Sequence, residues 1–486
     1  MATDVKNFCR FLIDGNISIF PDGGDRDINL FSILEKIREN ISRKWVKGVV
    51  IHFKKIEGCL ADLHAFHDGI LSLKRYKKPI IAFSVNYNTS SYFVASACTE
   101  IWCANAGHIY FDQFYGASFN FSEISEHFGI SESCVSTVGK HSNIIFDNDQ
   151  VKKIKKSLLK QHSEFFLDII CLSRSLKRDF AKLSIDKGII SGENAIRMGM
   201  IDKIEREFFI INQTKLCSNI KFNSLSFGIK MLKIGIININ REFAAHKWYY
   251  DIPWPFNFIA KRLMGTFNSE ELYSKIEKKS KRNNCIILIF DSGGGDLAQF
   301  QIVRDLILSI KNRVPVYAYC KSMCLSSAYY VASACTFIGR HPTALIGQAG
   351  SVTSKLNFAA TLSKLGVELE EYIGFRNSNM HNKWQPWSDE QINDIESVNN
   401  SIAEVFFSEV ENGRKEISSE YLRAGWIAMP NDDSNGFYDF TGTFNDLIHF
   451  ISKDLSLMKK YSFLSRNNPK IVVNGLDWRI FRNDFS

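Results

Sequence analysis

The chain has 486 residues, of which 45% are hydrophobic and 23% are charged, and its formal net charge is +8. This composition is ordinary for a folded protein of more than one domain, and it excludes a disordered or a fibrous chain. The positive charge is modest for the length, and one basic run at 152–160 is typical of a solvated helical face. We therefore expect no nucleic-acid partner.

The cysteines and the N-terminus bear on the cellular context. Most of the eleven cysteines lie in apolar runs and none forms a CxxC pair, which predicts buried free thiols rather than disulfides. The eleven histidines lack any metal-ligand spacing, so we expect no metal site and no cofactor. The sequence has no uninterrupted apolar window of about 18 residues, so we expect no transmembrane helix. Residues 1–20 lack the layout of a signal peptide.

In chain order, each half of the sequence predicts the same local series of elements. An apolar run ("VVIHF", "IILIF") is followed by an amphipathic segment, and then by a second apolar run behind a proline ("PIIAF", "PVYAY"). In the second half the segment 297–312 has apolar residues at helical spacing. Apolar strands that alternate with helices favour βαβ units and a buried parallel sheet.

The two halves are related by an internal repeat. The string "VASACT" begins at Val94 and again at Val331, an offset of 237 that also aligns 48–59 with 285–296. Repeats of solenoid proteins are only about 20–50 residues long, so this period indicates tandem copies of one domain. We place the first domain at residues 1–225 and the second at 226–486.

The first candidate for a functional site is the stretch "FDSGGGD" at 290–296, where three glycines directly follow a predicted strand. Glycine permits positive φ and lets backbone N–H groups approach a ligand, so the stretch is suited to holding a phosphate or an oxyanion. A plain tight turn is the alternative. The counterpart in the first half, at 53–59, keeps only Gly58.

The second stretch is "SMCLSSAYYVAS" at 322–333, where small polar residues lie between a strand and an apolar helix. A serine at a helix start is ordinarily an N-cap. A nucleophilic serine would need an activating base and N–H donors for an oxyanion. The glycine-rich stretch, one βα unit upstream, is a source of such donors.

These motifs, in this order, resemble the signal peptide peptidase A family of S49 serine peptidases, in its long two-domain form. The stretches at 290–296 and 322–333 carry the resemblance in the second half. Segments 29–41, 77–107 and 199–205 carry it in the first half. The resemblance implies an α/β chain of tandem ClpP/crotonase-like domains, each with a parallel sheet.

The resemblance also implies a catalytic Ser–Lys dyad built across the two domains. The pattern "KSMCLS-SAY" then makes Ser326 the nucleophile, and the amide of Ser327 half of the oxyanion hole. Gly294 would supply the other half, with Gly295 as the alternate. Thr89 is the first-half counterpart of Ser326, and a threonine there is not a nucleophile of the family.

The base of the dyad is not settled by the sequence. The family lysine aligns with "VGKHSNIIF" at 138–146, where the ungapped position is Ser142. One deletion moves His141 into that position, and two deletions move Lys140 there. A lysine must be desolvated to act as a base near neutrality, whereas a histidine titrates near 6.5 without any shift. Lys140, His141 and a site without a base all stay open.

The sequence leaves three alternative functions open. The first is a serine peptidase that hydrolyses signal peptides or other small hydrophobic peptides through an acyl-enzyme. The second is a catalytically degenerate, oligomeric scaffold or peptide-binding protein, and the third is a crotonase-like acyl-CoA enzyme. The resemblance implies a homo-oligomer, tetrameric in the two-domain form. It also implies a membrane-associated or periplasmic location. A soluble cytoplasmic protein is the alternative, because the sequence shows neither a transmembrane segment nor a signal peptide.

Overall fold

The structure is a computed structural model that describes most of the chain as two α/β halves. The described residues are 7–19, 27–105, 107–111, 114, 126–137, 149–216, 231–240, 242–243, 266–267, 269–371, 377, 379–456, 470–473 and 476–477. The domain boundary predicted near residue 225 lies outside these residues and stays a prediction.

The described part of the first half alternates strands and helices. Its strands are β1 (Phe8–Ser18), β2 (Asp27–Asn29), β3 (Gly48–Glu57), β4 (Ile80–Ser84), β5 (Glu100–Cys103), β6 (His108–Tyr110), β7 (Ser131–Ser136), β8 (Ile189–Ser191), β9 (Lys203–Ile204) and β10 (Lys215–Leu216). Its helices are α1 (Leu30–Ile41), α2 (Leu60–Leu73), α3 (Thr89–Ala95), α4 (Asp149–Arg174), α5 (Arg178–Ile185), α6 (Gly192–Arg197) and α7 (Glu207–Gln213), with a 3-10 turn at Lys74–Tyr76.

The described part of the second half repeats this alternation. Its strands are β11 (Met231–Ile239), β12 (Glu242–Phe243), β13 (Thr266–Phe267), β14 (Cys285–Ser292), β15 (Val316–Leu325), β16 (Phe337–Arg340), β17 (Leu345–Gly347), β18 (Val352–Asn357), β19 (Ile427–Ala428), β20 (Phe440–Thr441), β21 (Lys470–Val473) and β22 (Leu476–Asp477). Its helices are α8 (Ser269–Ser280), α9 (Leu297–Ile310), α10 (Ser327–Ala332), α11 (Ala359–Lys364), α12 (Asp389–Gly413), α13 (Ser419–Arg423) and α14 (Phe444–Ser456).

Each half is built on one mainly parallel sheet. The first sheet has the order β10-β1-β3-β4-β5-β9 with every neighbouring pair parallel. The second has the order β19-β17-β15-β14-β11-β21-β22, and only its outermost pairs, at the two ends, are antiparallel. The central strands are continuous buried runs, as in β14, where the first six residues are all buried. This confirms the predicted parallel α/β architecture, since such runs need cover on both faces.

The repeat extends further than the sequence motifs alone indicated. The offset of 237 maps both ends of α2 onto those of α9, and both ends of β5 onto those of β16. It also maps β9 onto β20 near the end of each half. Tandem duplication is therefore confirmed over the described core of both halves.

The two halves share a hydrophobic core. The helices α1, α2 and α3 cover one face of the first sheet through residues such as Leu34, Phe66 and Phe93. The same cluster contains Ile287 and Tyr319 from the second sheet, together with residues of α14. In addition, α2 contacts both β15 and α14. The helical layer of the first half thus lies against the second sheet, so side chains of both halves meet at the boundary.

Two further predictions concern the whole chain. Every described cysteine is a free thiol, which confirms that prediction for the residues described. Within the same residues, no helix combines the length and the apolar character needed to cross a membrane.

Candidate functional site

Ser326 lies at the junction between β15 and α10, and its backbone is in an unusual conformation. Its φ is 52° and its ψ is −128°, in a region that residues with a side chain rarely adopt. Two backbone hydrogen bonds hold it there, one from its N–H to Gly347 O at 2.9 Å and one from Tyr330 N to its carbonyl at 3.0 Å. Backbone strain of this kind persists only when the surroundings enforce it, and it concentrates at functional sites.

The side chain of Ser326 does not cap the helix that follows it. It occupies the N-cap position of α10 but makes no capping hydrogen bond. In the first half, by contrast, the Asn88 side chain caps α3 by accepting from Ser91 N, and Thr89 is the first helical residue. The N-cap interpretation is therefore wrong for the Ser326 side chain, and the hydroxyl is left for another role.

The glycine-rich loop packs directly against Ser326. At Gly294 φ is 104°, and a Cβ added there would lie 2.6 Å from Ser326 Cβ, 2.7 Å from Leu325 O and 3.0 Å from Ser327 N. Only glycine fits this approach. The Gly294 N–H donates to Ser292 Oγ at 3.2 Å, so in this state a serine hydroxyl occupies the donor that an oxyanion would need.

Ser327 completes the predicted group around the nucleophile. It is the first residue of α10, and the first N–H groups of a helix have no partner within the helix. Its hydroxyl is buried and has no hydrogen-bond partner among the described residues. The structure thus brings Ser326, Ser327 and Gly294 together, with Gly295 next in the loop at a φ of 140°.

The candidate bases Lys140 and His141, and the ungapped position Ser142, lie outside the described residues. The last described residue before them is Thr137, which follows β7. β7 pairs antiparallel with β18 of the second half, and the ladder continues to Thr137, whose N–H donates to Ser351 O at 3.1 Å. Ser351 follows shortly after Gly347, the acceptor for the Ser326 N–H.

Lys321 is an amine near the site that the sequence did not single out. It lies on β15 a few residues before Ser326, but its Nζ is 2.6 Å from Asp62 Oδ2 on α2. Burial by itself lowers the pKa of Lys321, yet the Asp62 carboxylate outweighs burial and raises that pKa above the usual range. Lys321 is therefore held protonated and is not suited to act as the base. No sequence signal pairs these residues, because the contact depends on how the halves stack.

The first half has a crevice at the equivalent edge of its sheet. Its volume is about 540 Å³, and its lining includes Lys54, Ser84, Asn88, Tyr110 and Glu207. Thr89 itself is fully buried in α3, and its Oγ1 donates to Tyr110 O at 3.4 Å. The first half therefore presents no nucleophile at the position equivalent to Ser326.

No group of three or more histidine, cysteine, aspartate or glutamate side chains among the described residues is arranged to hold a metal ion. The chemistry available around Ser326 is a hydroxyl with backbone N–H donors.

The sequence of each half matches the model of peptidase family S49, over residues 72–221 and 309–454. The two segments cover more than half of the chain. This chain belongs to peptidase family S49. The matched segments begin 237 residues apart, the offset of the repeat, so each domain is a copy of the S49 domain. Together with the two parallel sheets, this confirms the predicted tandem ClpP/crotonase-like fold.

Curated relatives of this S49 chain are distant in sequence. It is 22% identical to a chloroplastic serine protease of Arabidopsis thaliana over 356 residues, which are 67% of this chain and 50% of that protein. It is 22% identical to Protease 4 of Haemophilus influenzae over 465 residues, which are 87% of this chain and 72% of that protein. The chain thus spans half of the length of the first relative.

Solved structures of S49-type proteases overlap half of the chain. Two substituted forms of the 1510-N membrane-bound stomatin-specific protease, one with a substrate peptide, cover 51% of it at 12% and 13% identity. The TM-score is 0.27 in both cases, which is too low for the overlap to bear on fold or function.

Proposed function

We propose that this S49 chain is a serine peptidase in which Ser326 is the nucleophile. The Ser326 Oγ attacks the carbonyl carbon of the scissile peptide bond as a base takes the hydroxyl proton. The C–N bond then breaks, the leaving amine receives that proton, and an ester on Ser326 remains. Attack by water, with the same base accepting its proton, releases the acid and regenerates the hydroxyl.

The observation that carries this proposal is the conformation of Ser326. Its strained backbone turns the hydroxyl away from the capping role and sets it beside Gly294 and Ser327. Backbone N–H donors at such a position stabilise the negative oxygen of the tetrahedral intermediate. We assign this role to the Gly294 and Ser327 amides, with Gly295 as the alternate. The Ser292 hydroxyl, which now accepts from Gly294 N, must give way to the oxyanion.

We propose that the base comes from the segment that follows β7. Thr137 is anchored to Ser351. Lys140 and His141 follow it by three and four residues, which span at most about 11 Å and about 14 Å when fully extended, so both are tethered to this part of the second half. Lys140 is the first choice by family resemblance, and it must be desolvated to be neutral. His141 is the alternative, and it needs no shift of its pKa.

We propose small hydrophobic peptides, such as cleaved signal peptides, as substrates. Exposed apolar side chains on the second half support this class, among them Val352 at 49% exposure and Met323 at 37%. A tetramer and an association with a membrane remain predictions drawn from the family.

The test uses a fluorophosphonate probe, which forms a covalent bond with an activated serine. We expect wild type to be labelled on Ser326, Ser326→Ala to be unlabelled, and Thr89→Ala, its matched control in the other repeat, to be labelled like wild type. Labelling that survives Ser326→Ala contradicts the nucleophile assignment.

The same probe separates the two candidate bases. Lys140→Ala and His141→Ala are compared, and the variant that loses labelling identifies the base. A labelling rate that rises through a pH of about 6.5 indicates histidine, and a rise at higher pH indicates lysine. Absence of labelling in wild type at every pH favours the degenerate scaffold, in which the fold is kept without a base.

A further inference from the structure

A buried ion pair joins the two halves beneath the candidate site. Lys321 Nζ lies 2.6 Å from Asp62 Oδ2, and the two side chains are only 16% and 3% exposed. Asp62 belongs to the first turn of α2 in the first half, whereas Lys321 belongs to β15 in the second. The other oxygen of Asp62 accepts from Ile19 N at 3.3 Å, and the Cys59 thiol donates to Oδ2 at 3.3 Å. The carboxylate is therefore fixed from three directions.

Lys321 lies in a bulge of β15. Pairing between β14 and β15 runs regularly up to Phe290 opposite Cys320, and the next partners are Ser292 and Cys324. One residue of β14, Asp291, is thus opposed by three residues of β15. Such a bulge bends the strand and turns side chains in new directions, and it commonly occurs beside active sites.

The bulge connects the ion pair to both parts of the candidate site. The Asp291 carboxylate interacts electrostatically with Lys321 and accepts a side-chain hydrogen bond from Ser322. Along the chain, Asp291 immediately precedes Ser292 and the glycine loop, whereas Lys321 and Ser322 lead into Ser326. Lys321 therefore lies on the strand that carries the nucleophile, and it interacts electrostatically with Asp291 on the strand that carries the oxyanion loop.

We propose that Asp62 is a positioning residue for the second-half site. Its carboxylate holds the Lys321 ammonium in the bulge, and the ammonium in turn holds Asp291, so that the spacing between Gly294 and Ser326 depends on a side chain from the other half. This inference rests on the proposed function of Ser326 as a nucleophile. Burying a charge is costly unless it is paired and hydrogen-bonded, so the bulge keeps its shape only while the carboxylate is present.

The experiment measures fluorophosphonate labelling as a function of probe concentration, which separates probe affinity from the maximal rate of bond formation. Asp62→Asn keeps the size of the side chain and an acceptor for Ile19 N but removes the charge. We expect its maximal rate to fall about tenfold or more, as positioning errors do, with probe affinity changed by less than about threefold. The matched control is Glu57→Gln, which breaks the exposed Lys55–Glu57 pair of 2.9 Å and should label like wild type.

A double variant distinguishes positioning from stability alone. Asp62→Asn combined with Lys321→Met removes both charges of the pair, so neither is buried without the other, and thermal stability should return toward that of wild type. The maximal labelling rate should stay low, because the Lys321 charge that attracts Asp291 is then gone and only the hydrogen bond from Ser322 remains. A rate that recovers together with stability overturns the positioning role.

A second readout keeps this inference separable from the proposed function. Hydrogen–deuterium exchange of the segment 320–327 does not require catalysis, and we expect faster exchange in Asp62→Asn than in wild type. If wild type is labelled and Asp62→Asn is labelled equally fast, the inference fails and the proposed function stands. If wild type is not labelled, the proposed function fails, and unchanged exchange in 320–327 also overturns the coupling.

Discussion

His64 Nδ1 and His341 Nε2 lie 3.0 Å apart across the boundary between the two halves. The Thr343 N–H donates to His341 Nδ1 at 3.3 Å, so this nitrogen is an acceptor and the proton of a neutral His341 lies on Nε2. His341 Nε2 then donates to His64 Nδ1, and the proton of His64 lies on Nε2, 3.6 Å from Asp68 Oδ1. Both rings are neutral in this chain of hydrogen bonds.

Acid should therefore destabilise the chain through this pair. Burial lowers the pKa of His64, and it lowers that of His341 well below the ordinary value of 6.5, with the neighbouring histidines adding to the effect on His341. The unfolded chain then binds more protons than the folded chain. The contribution of these histidines to the free energy of unfolding is therefore fully present above a pH of about 6.5, and it is lost as the pH falls below that value. Each histidine contributes a slope of at most about 1.4 kcal/mol per pH unit.

Urea unfolding between neutral pH and mildly acidic pH measures this slope. His52 adds to it, since burial and the nearby Arg10 charge lower its pKa to about 4, so its window runs from 6.5 down to that value. We expect His341→Gln to flatten the slope, and His381→Gln, at an exposed position, to leave it unchanged. A wild-type free energy of unfolding that does not vary across this range contradicts the prediction.

Gly294→Ala should abolish most of the labelling of Ser326. The new methyl group would lie 2.6 Å from Ser326 Cβ, and a φ of 104° is strained for alanine, so the loop must move away from the nucleophile. Loss of an oxyanion donor typically lowers the rate by about 100-fold or more. Gly293→Ala is the matched control, because nothing lies within 4 Å of a Cβ at that position. Equal labelling rates of the two variants would rule out the close approach of Gly294.

Much of this architecture follows from local sequence, and the rest depends on how the halves stack. The repeat was predictable because both halves share sequence motifs at one offset. The parallel sheets were predictable because a buried strand is a continuous apolar run, as at 285–290, and the helix that follows has apolar residues at helical spacing, as at 297–310. The junction at Ser326 was predictable because small residues mark the start of a helix. The pairs Lys321–Asp62 and His64–His341 were not predictable, because each joins a residue of one half to a residue of the other and so depends on how the halves pack. The uncapped conformation of Ser326 depends likewise on Gly347, which reaches it only in the folded sheet.

Asn399→Ala should weaken the ladder that leads to the candidate base. The Asn399 side chain is buried in α12, where its Oδ1 accepts from Ser351 Oγ at 3.1 Å and from Thr353 Oγ1 at 2.9 Å, and its Nδ2 donates to Val135 O at 3.1 Å. One side chain thus links β18 to β7. We expect a loss of about 1–3 kcal/mol in the free energy of unfolding, and slower labelling of Ser326.

The adjacent Asn400 supplies the control for this prediction, because it is exposed on the same helix and has the same helix propensity. Asn400→Ala should change the free energy of unfolding by no more than about 0.5 kcal/mol. If both alanine variants label at the wild-type rate, the β7–β18 ladder does not position the segment that carries Lys140 and His141.

Arg340→Met should destabilise the second half and disturb Ser326 from a distance. The guanidinium is 1% exposed and donates to backbone carbonyls, among them Met429 O at 3.0 Å and Asp432 O at 3.3 Å, while it lies over the Tyr438 ring. These carbonyls adjoin β19, which pairs with β17 at Gly347, the acceptor for the Ser326 N–H. Methionine fills the space but cannot donate, so several buried carbonyls lose their partner, at a cost of about 3 kcal/mol or more. Chemical unfolding should show this loss, with Arg313→Met as the exposed control, and a stability equal to that of the control would contradict it.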